Sequence, residues 1–325
     1  MQKFALSLAL SAVAFGLGGA TPADNPPLDP GATDQLTQEE IVALERERYN
    51  RATVQVSVQG QGPYRFLVDT GAEATVVSRE IATALALAPA GRALVVGMAS
   101  EEEADLVDIE NLTLAEMDFC CLTSPVLARD KIGADGILGL DSLQDSRVLL
   151  DFEEDTLTVH DARPGLSQRG FEIIIRAKQR LGQLIITSAR IDGIATDIVI
   201  DTGSQISIGN FALRNRLRAR ELGLAEWEDV LGNSQTGNVM VAGEVKVPGF
   251  SIVNIPIAFA DAPPFRHLGL TEKPALILGI QHLRMFRRVA IDFKSGKILF
   301  DLPSGSVPLE SAFRKAYASR LGKDD

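Results

Sequence analysis

Two short stretches of the chain each lead an apolar run into an aspartate. Phe66-Leu67-Val68 precedes Asp69-Thr70-Gly71, and Ile198-Val199-Ile200 precedes Asp201-Thr202-Gly203, 132 residues (201 minus 69) further on. Such runs predict buried strands that deliver a carboxylate to a tight turn. Two carboxylates about 3 Å apart cannot easily both ionise, so they share one proton. One can then accept a proton from water while the other donates one to a carbonyl oxygen, so the pair predicts general acid–base hydrolysis.

A second pattern follows each aspartate at a similar distance. Gly136-Ile137-Leu138-Gly139 follows the first, and Leu276-Ile277-Leu278-Gly279 follows the second. An apolar run that ends in glycine predicts another buried strand and turn. The repeated order of elements indicates an internal duplication, with one catalytic device split between two lobes.

The residues after each aspartate have roles that their chemistry predicts. The threonine hydroxyls can tie the two turns together across the lobe interface, and the glycines let backbone amides approach the carboxylates. These supporting residues are Thr70, Gly71 and Ala72 in the first turn and Thr202, Gly203 and Ser204 in the second.

The two turns differ at one position, where Ser204 stands opposite Ala72. A serine hydroxyl that donates to a carboxylate favours its charged form and lowers its pKa. We therefore expect Asp201 to be the more acidic partner and Asp69 to carry the shared proton.

At these motifs the sequence resembles the retropepsin-like aspartic proteases, in their single-chain, two-lobe bacterial form. The resemblance spans residues 52–302 and places Asp69 and Asp201 on the family's catalytic aspartates. It implies a mostly β fold, in which two homologous β-barrel lobes with short helices form an intramolecular pseudo-dimer. It also implies a polypeptide substrate, no cofactor and no metal. Since both halves of the site lie in one chain, we expect a monomer.

Substrate is expected to bind extended in the cleft between the lobes, along the tips of two hairpins. Glu73 and Gln205 follow the two turns, where relatives contact the substrate backbone. The expected substrate-binding residues are Gly97, Met98 and Ala99 in the first tip, Asn233, Ser234 and Gly237 in the second, and Glu73 and Gln205.

Composition and charge narrow the functional classes. The chain is 46% hydrophobic and 23% charged, which is typical of a soluble globular protein. Its few aromatic residues and many Val, Ile and Leu favour sheets over helix bundles. A net charge of −11 argues against nucleic acid as a partner.

The remaining segments predict an exported protein in five parts. Residues 1–20 have the form of a signal peptide, so we expect a periplasmic or secreted protein with no membrane span in the mature chain; an uncleaved anchor stays open. The predicted parts are 1–20 (signal peptide), 21–51 (spacer and short helix), 52–165 (N-terminal lobe), 166–303 (C-terminal lobe) and 304–325 (tail helix).

Two smaller features are interpreted as structural. Cys120 and Cys121 are adjacent, so on a strand one is expected in the core and the other outside. The arginines from Arg214 to Arg220 are interpreted as the solvated surface of a helix.

The sequence lacks the residue motifs that other hydrolytic mechanisms require. The three histidines are scattered, and the sequence contains neither HExxH nor GxSxG, so zinc and serine hydrolysis are not indicated. One alternative stays open: a non-catalytic two-lobe periplasmic protein that binds extended peptides or a partner.

Overall fold

The structure, a computed structural model, describes residues 3–5, 9–10, 53–162 and 168–303. Most of these residues form β-strands, and the helices among them are short. The spacer and helix expected over 21–51 and the helix expected within 304–325 lie outside the described residues. Residues 53–162 and 168–303 are called lobe one and lobe two below.

Lobe one contains an eight-stranded sheet. Its strands are β1 (Lys3–Ala5), β3 (Thr53–Val58), β4 (Gln61–Val68), β5 (Val76–Ser78), β6 (Ala88–Val96), β7 (Glu101–Leu114), β8 (Met117–Leu127) and β9 (Gly136–Leu138). Their spatial order is β1-β6-β7-β3-β4-β9-β5-β8. The valines of β3 alternate inward as the sequence predicted, since Val54, Val56 and Val58 are buried.

Lobe two contains a nine-stranded sheet. Its strands are β2 (Ala9–Leu10), β13 (Lys178–Arg180), β14 (Gln183–Ile191), β15 (Ile194–Ile200), β16 (Ile208–Gly209), β17 (Arg220–Asp229), β18 (Ser234–Val247), β19 (Phe250–Phe259) and β20 (Ala275–Leu278). Their spatial order is β13-β14-β15-β20-β16-β19-β18-β17-β2.

A third sheet joins the two lobes. Its strands are β10 (Ser146–Asp151), β11 (Thr156–Asp161), β12 (Ile173–Arg176), β21 (Arg288–Asp292) and β22 (Lys297–Asp301), in the order β11-β10-β21-β22-β12. Strand β10 of lobe one pairs antiparallel with β21 of lobe two. A buried ion pair crosses the same junction, with Arg147 Nη2 2.6 Å from Asp292 Oδ2.

The strands that lead to the two aspartates are built alike. Strand β4 runs parallel to β9, and β15 runs parallel to β20. Strands in a parallel pair are covered on both faces, which explains why their apolar runs are continuous rather than alternating. All residues of 66–68 and 198–200 are buried.

Short helices connect these strands. Within the described residues they are Arg79–Ala84, Arg129–Ile132, Leu140–Leu143, Phe211–Arg214, Pro263–His267 and Ile280–Leu283. The predicted cap at Ser78 is present, since the Ile81 N–H donates to Ser78 Oγ at 3.4 Å. None of the described helices has the length and apolar character needed to cross a membrane.

Two expectations about local structure were wrong. The helix that begins at Phe211 ends at Arg214, so the arginines up to Arg220 do not share a helix. Cys120 and Cys121 are both exposed and free. Cys121 adopts a left-handed backbone with a φ of 62°, which interrupts the alternation of a regular strand.

Candidate active site

Asp69 and Asp201 stand at the ends of the two matched strand pairs. The Asp69 N–H donates to the Leu138 carbonyl, and the Asp201 N–H donates to the Leu278 carbonyl, both at 3.1 Å. Each aspartate is therefore attached to the apolar–Gly segment of its own lobe. Both side chains are fully buried.

The two turns are joined by a reciprocal threonine network. The Thr70 N–H donates to Thr202 Oγ1 and the Thr202 N–H donates to Thr70 Oγ1, each at 3.1 Å. Each hydroxyl then donates to a carbonyl of the opposite lobe, Thr70 Oγ1 to Ile200 at 3.0 Å and Thr202 Oγ1 to Val68 at 2.8 Å. Four buried hydrogen bonds thus hold the turns face to face, as the sequence led us to expect.

Backbone N–H groups donate hydrogen bonds to the carboxylates of Asp69 and Asp201. The Gly71 N–H donates to Asp69 Oδ1 at 2.7 Å. Asp201 Oδ1 accepts from two amides, those of Gly203 at 2.8 Å and Ser204 at 3.0 Å. The hydroxyl expected to contact Asp201 does not do so, because Ser204 Oγ donates to the Ile206 carbonyl at 2.8 Å instead.

The two carboxyl groups lie close together. A Cβ placed on Gly203 would be 2.3 Å from Asp69 Cγ, so only glycine fits where the second turn meets the first carboxylate. Burial raises the pKa of Asp201 well above its ordinary value, and the charge of Asp69 raises it further, while the two amide donors lower it by less. A raised pKa is the behaviour of a carboxylate pair that holds a proton in common. Which of the two carboxyl groups is the more acidic stays a prediction.

Sequence reasoning missed two hydroxyl residues that support the turns. Thr75 Oγ1 accepts from the Gly139 N–H at 3.1 Å, and Ser207 Oγ accepts from the Gly279 N–H at 3.0 Å. Each stands six residues after its aspartate, so a hydroxyl at the same offset in both copies was the available signal. Behind Ser207 lies the buried His282, whose Nδ1 is 2.6 Å from Ser207 Oγ.

Two hairpins, called the flaps, meet above this centre. The first flap is β6, the tip 97–100 and β7; the second is β17, the tip 230–233 and β18. The second tip is earlier than predicted, because Ser234 already belongs to β18 and Gly237 is buried within it against Trp227 and Phe259.

Each flap tip inserts an apolar side chain into the opposite lobe. Met98 of the first tip is fully buried in an apolar cluster of lobe two that includes Val199, Ile206 and Trp227. Val230 of the second tip is buried in a cluster of lobe one. The apolar surfaces beside both catalytic turns are therefore covered by the chain itself in this closed arrangement.

Asp229 connects the two tips. Its buried carboxylate accepts from the Ala99 N–H at 3.1 Å and from Ser100 Oγ at 2.8 Å in the first flap. Within its own tip it accepts from the amides of Leu231 at 3.0 Å and Asn233 at 3.1 Å. A Cβ on Gly97 would be 2.3 Å from Asp229 Oδ2, so the first tip approaches the carboxylate too closely for any other residue.

Two further side chains, those of Glu73 and Gln183, contact the opposite lobe. Glu73 Oε1 is 2.7 Å from His267 Nε2 of lobe two, so this glutamate already contacts a basic group of its own chain. The buried Gln183 Nε2 donates to the Gly71 carbonyl at 2.8 Å. Gln205 is half-buried, and its carbonyl accepts from the Gln281 N–H at 3.1 Å. Among the described residues no cluster of three or more His, Cys, Asp or Glu is placed to hold a metal ion.

Comparisons with known proteins found similarity to aspartic proteases. The model of a family described as "gag-polyprotein putative aspartyl protease" matches residues 54–145. Similar solved structures include an aspartic proteinase from Irpex lacteus, at 15% identity over 78% of this chain and 94% of that one, with a TM-score of 0.47. A retropepsin-like aspartic protease from Rickettsia conorii has 15% identity over 40% of this chain and 89% of that one, with a TM-score of 0.27. No curated protein sequence matches the chain.

The family match covers the part of lobe one that contains the first Asp-Thr-Gly turn and its apolar–Gly partner. Together with the mostly β architecture, it identifies the class: an aspartic protease fold with two lobes. Over residues 54–145 the chain is therefore similar to a family of aspartyl proteases.

Proposed function

We propose that the chain is an aspartic endopeptidase, in which Asp69 and Asp201 activate water to hydrolyse peptide bonds of extended polypeptide segments. The observation that carries the proposal is the reciprocal threonine network, because it holds the two aspartate turns together from opposite lobes. A purely structural pair of turns would not require two buried carboxyl groups at one point.

Each step of the proposed reaction uses groups already at the site. One carboxylate accepts a proton from water, whose oxygen bonds to the peptide carbonyl carbon. The protonated carboxyl donates its proton to the carbonyl oxygen, giving a neutral tetrahedral intermediate. A proton then passes to the amide nitrogen as the C–N bond breaks, which yields a free acid and a free amine. The raised pKa of Asp201 supports this scheme, because the pair needs one proton to begin.

Substrate entry requires the flaps to part. In the closed arrangement both carboxyl groups are fully buried, and the tips are joined through Asp229. We propose that an extended polypeptide lies between the flaps and the aspartate pair, with backbone groups of Gly97, Ala99 and Asn233 released from the tip contacts to bind it.

We further propose that the protein acts as an exported monomer, in the periplasm or outside the cell. The apolar character of residues 1–20 supports export, and the presence of both aspartates in one chain supports a complete monomeric site.

The Asp69→Asn variant tests the proposal. Wild type and variant are incubated with a library of unstructured polypeptides, new termini are read by mass spectrometry, and binding of the same polypeptides is measured separately. We expect the variant to bind peptides without cutting them. If the wild type produces no new termini and both proteins bind peptides equally, the chain is the non-catalytic binding protein that the sequence left open.

A further inference from the structure

Two adjacent cysteines lie on one strand of lobe one. Cys120 and Cys121 belong to β8, close to the turn that joins β8 to β7. Both residues are exposed, and neither forms a disulfide. Their thiols have no part in the proposed hydrolysis. The chain therefore has a pair of accessible nucleophiles outside the candidate active site.

The backbone at Cys121 departs from that of a regular strand. Its φ is 62°, in the left-handed region that residues with a side chain seldom adopt. In the ladder between β7 and β8, Asn111 pairs with Cys120 and Ile109 pairs with Leu122, and the position between these pairs is skipped. An unusual backbone conformation of this kind is often found at functional sites.

The two thiols lie within hydrogen-bonding distance of each other. Successive side chains of a regular strand point to opposite faces, which would keep neighbouring thiols apart. The left-handed conformation of Cys121 changes the direction of its side chain, and the two thiols share a hydrogen bond. This hydrogen bond is the main cause that raises the pKa of Cys121, and the charge of Glu110 adds a smaller effect. The two sulfur atoms are therefore already close together.

A disulfide between these neighbours would be easily reduced. Consecutive Cα atoms are about 3.8 Å apart, whereas the Cα atoms of ordinary disulfides are separated by at least about 4.4 Å. A disulfide outside the usual geometry stores strain, and strained or exposed disulfides are the labile ones. A bond at this site would therefore be reversible rather than a permanent structural link.

We propose that Cys120 and Cys121 form a reversible redox site, at which a small disulfide such as oxidised glutathione converts the two thiols into a vicinal disulfide. One protein thiolate attacks the small disulfide, forms a mixed disulfide and releases the first small thiol. The other thiolate attacks the protein sulfur of the mixed disulfide, which forms the Cys120–Cys121 bond and releases the second small thiol. The protein is oxidised by two electrons, the small disulfide is reduced by two, and the two protons leave on the released thiols.

The order of the two attacks follows from the thiol chemistry. The thiolate is the nucleophile, and the raised pKa of Cys121 keeps more of its thiol protonated. Cys120 therefore attacks the small disulfide first, and Cys121 resolves the mixed disulfide. This inference goes beyond the proposed peptidase function and does not depend on it.

The test exposes the folded, full-length protein to oxidised glutathione, blocks the remaining thiols with iodoacetamide and records intact masses and peptide maps. Cys120→Ser and Cys121→Ser each retain one thiol. The matched control is Cys121→Ser/Asp118→Cys, which retains two thiols at exposed positions of β8. Its thiols are two strand positions apart, about 6.7 Å between Cβ atoms, which exceeds the limit of about 4.5 Å for a disulfide.

We expect wild type to lose both free thiols without gaining glutathione, so that its mass falls by two hydrogen atoms. Each single variant should keep one bound glutathione and the control two, with Cys121→Ser reacting faster than Cys120→Ser. Reduced glutathione should then restore both thiols of wild type. Two bound glutathiones on wild type, or a disulfide between two chains, would overturn the proposal.

A trivalent arsenical tests the proximity of the thiols without oxidation. Phenylarsine oxide binds two neighbouring thiols and releases water, so one equivalent should protect both wild-type cysteines from iodoacetamide. The single variants should remain reactive under the same conditions. Wild type that reacts as fast as the single variants would show that the thiols are not held together, and the redox site would be refuted. Neither measurement uses peptidase activity, so failure of the proposed function would leave both results unchanged.

Discussion

Thr202→Val should weaken the connection between the lobes far more than an ordinary buried threonine substitution. The Thr202 hydroxyl accepts from the Thr70 N–H at 3.1 Å and donates to the Val68 carbonyl at 2.8 Å, and both partners belong to lobe one. Valine keeps the branched shape but leaves these two buried backbone groups without their partner. Each such group costs about 1–3 kcal/mol, so the free energy of unfolding should fall by about 2–6 kcal/mol.

Urea denaturation of the full chain measures this loss, and Thr196→Val is the matched control. Thr196 is also buried and lies on β15, the strand that leads to Thr202, but its hydroxyl donates to the Ile194 carbonyl of its own lobe at 2.9 Å. One lost bond of this kind should cost about 1 kcal/mol. Thr70→Val should match Thr202→Val, because the network is reciprocal. A Thr202→Val cost no larger than that of Thr196→Val would refute the role assigned to the network.

Three further predictions concern the flaps, a buried histidine and the cysteines. Asp229→Asn removes the charge that joins the tips, so amide exchange at 97–100 should become at least about tenfold faster; unchanged exchange would contradict the contact. Burial lowers the pKa of His282 from 6.5 to about 4, so the unfolded chain binds a proton in that range before the folded one does. The free energy of unfolding should therefore fall by up to about 3 kcal/mol as pH drops from 6.5 to 4, and His282→Asn should lack this loss in a pH series of urea titrations. Cys120 and Cys121 should both react with a thiol reagent in the folded protein, with Cys121 requiring higher pH because its hydrogen bond with Cys120 raises its pKa; only one reactive thiol would contradict their exposure.

The sequence predicted the local parts of the site well because they depend on short-range chemistry. Continuous apolar runs indicated buried parallel strands, and the structure buries every residue of 66–68 and 198–200. The Ser78 cap and the first flap tip were also placed from residue type and spacing alone. Reciprocal bonding between Thr70 and Thr202 followed from finding the same turn twice.

Contacts between distant residues could not be predicted in the same way. Nothing in the sequence around Asp229 indicates that its carboxylate receives donors from a tip 130 residues away. The Ser204 prediction failed because a hydroxyl rotates toward whichever acceptor lies nearest, here the Ile206 carbonyl. The second flap tip was predicted too far along the chain because Gly237 was interpreted as a turn residue. In the structure Gly237 lies within β18, where close packing against Trp227 requires a glycine.

The pattern of arginines from Arg214 to Arg220 led to a wrong prediction of a single helix. Charges at every second position suit a strand as well as a helix, and the described chain leaves its helix at Arg214 and enters β17 at Arg220. Exposed residues have no core to fix their periodicity, whereas buried runs do.

We propose that Asp69 and Asp201 act as one catalytic unit, and the peptidase rates of Asp69→Asn, Asp201→Asn and the double variant test this most directly. Residues that share one proton and one water are not additive, so each single variant should lose as much peptidase activity as the double variant. Thermal unfolding of the same proteins provides the control for folding. A single variant that keeps its hydrolysis rate within about tenfold of wild type, or losses that simply add in the double variant, would contradict the shared mechanism.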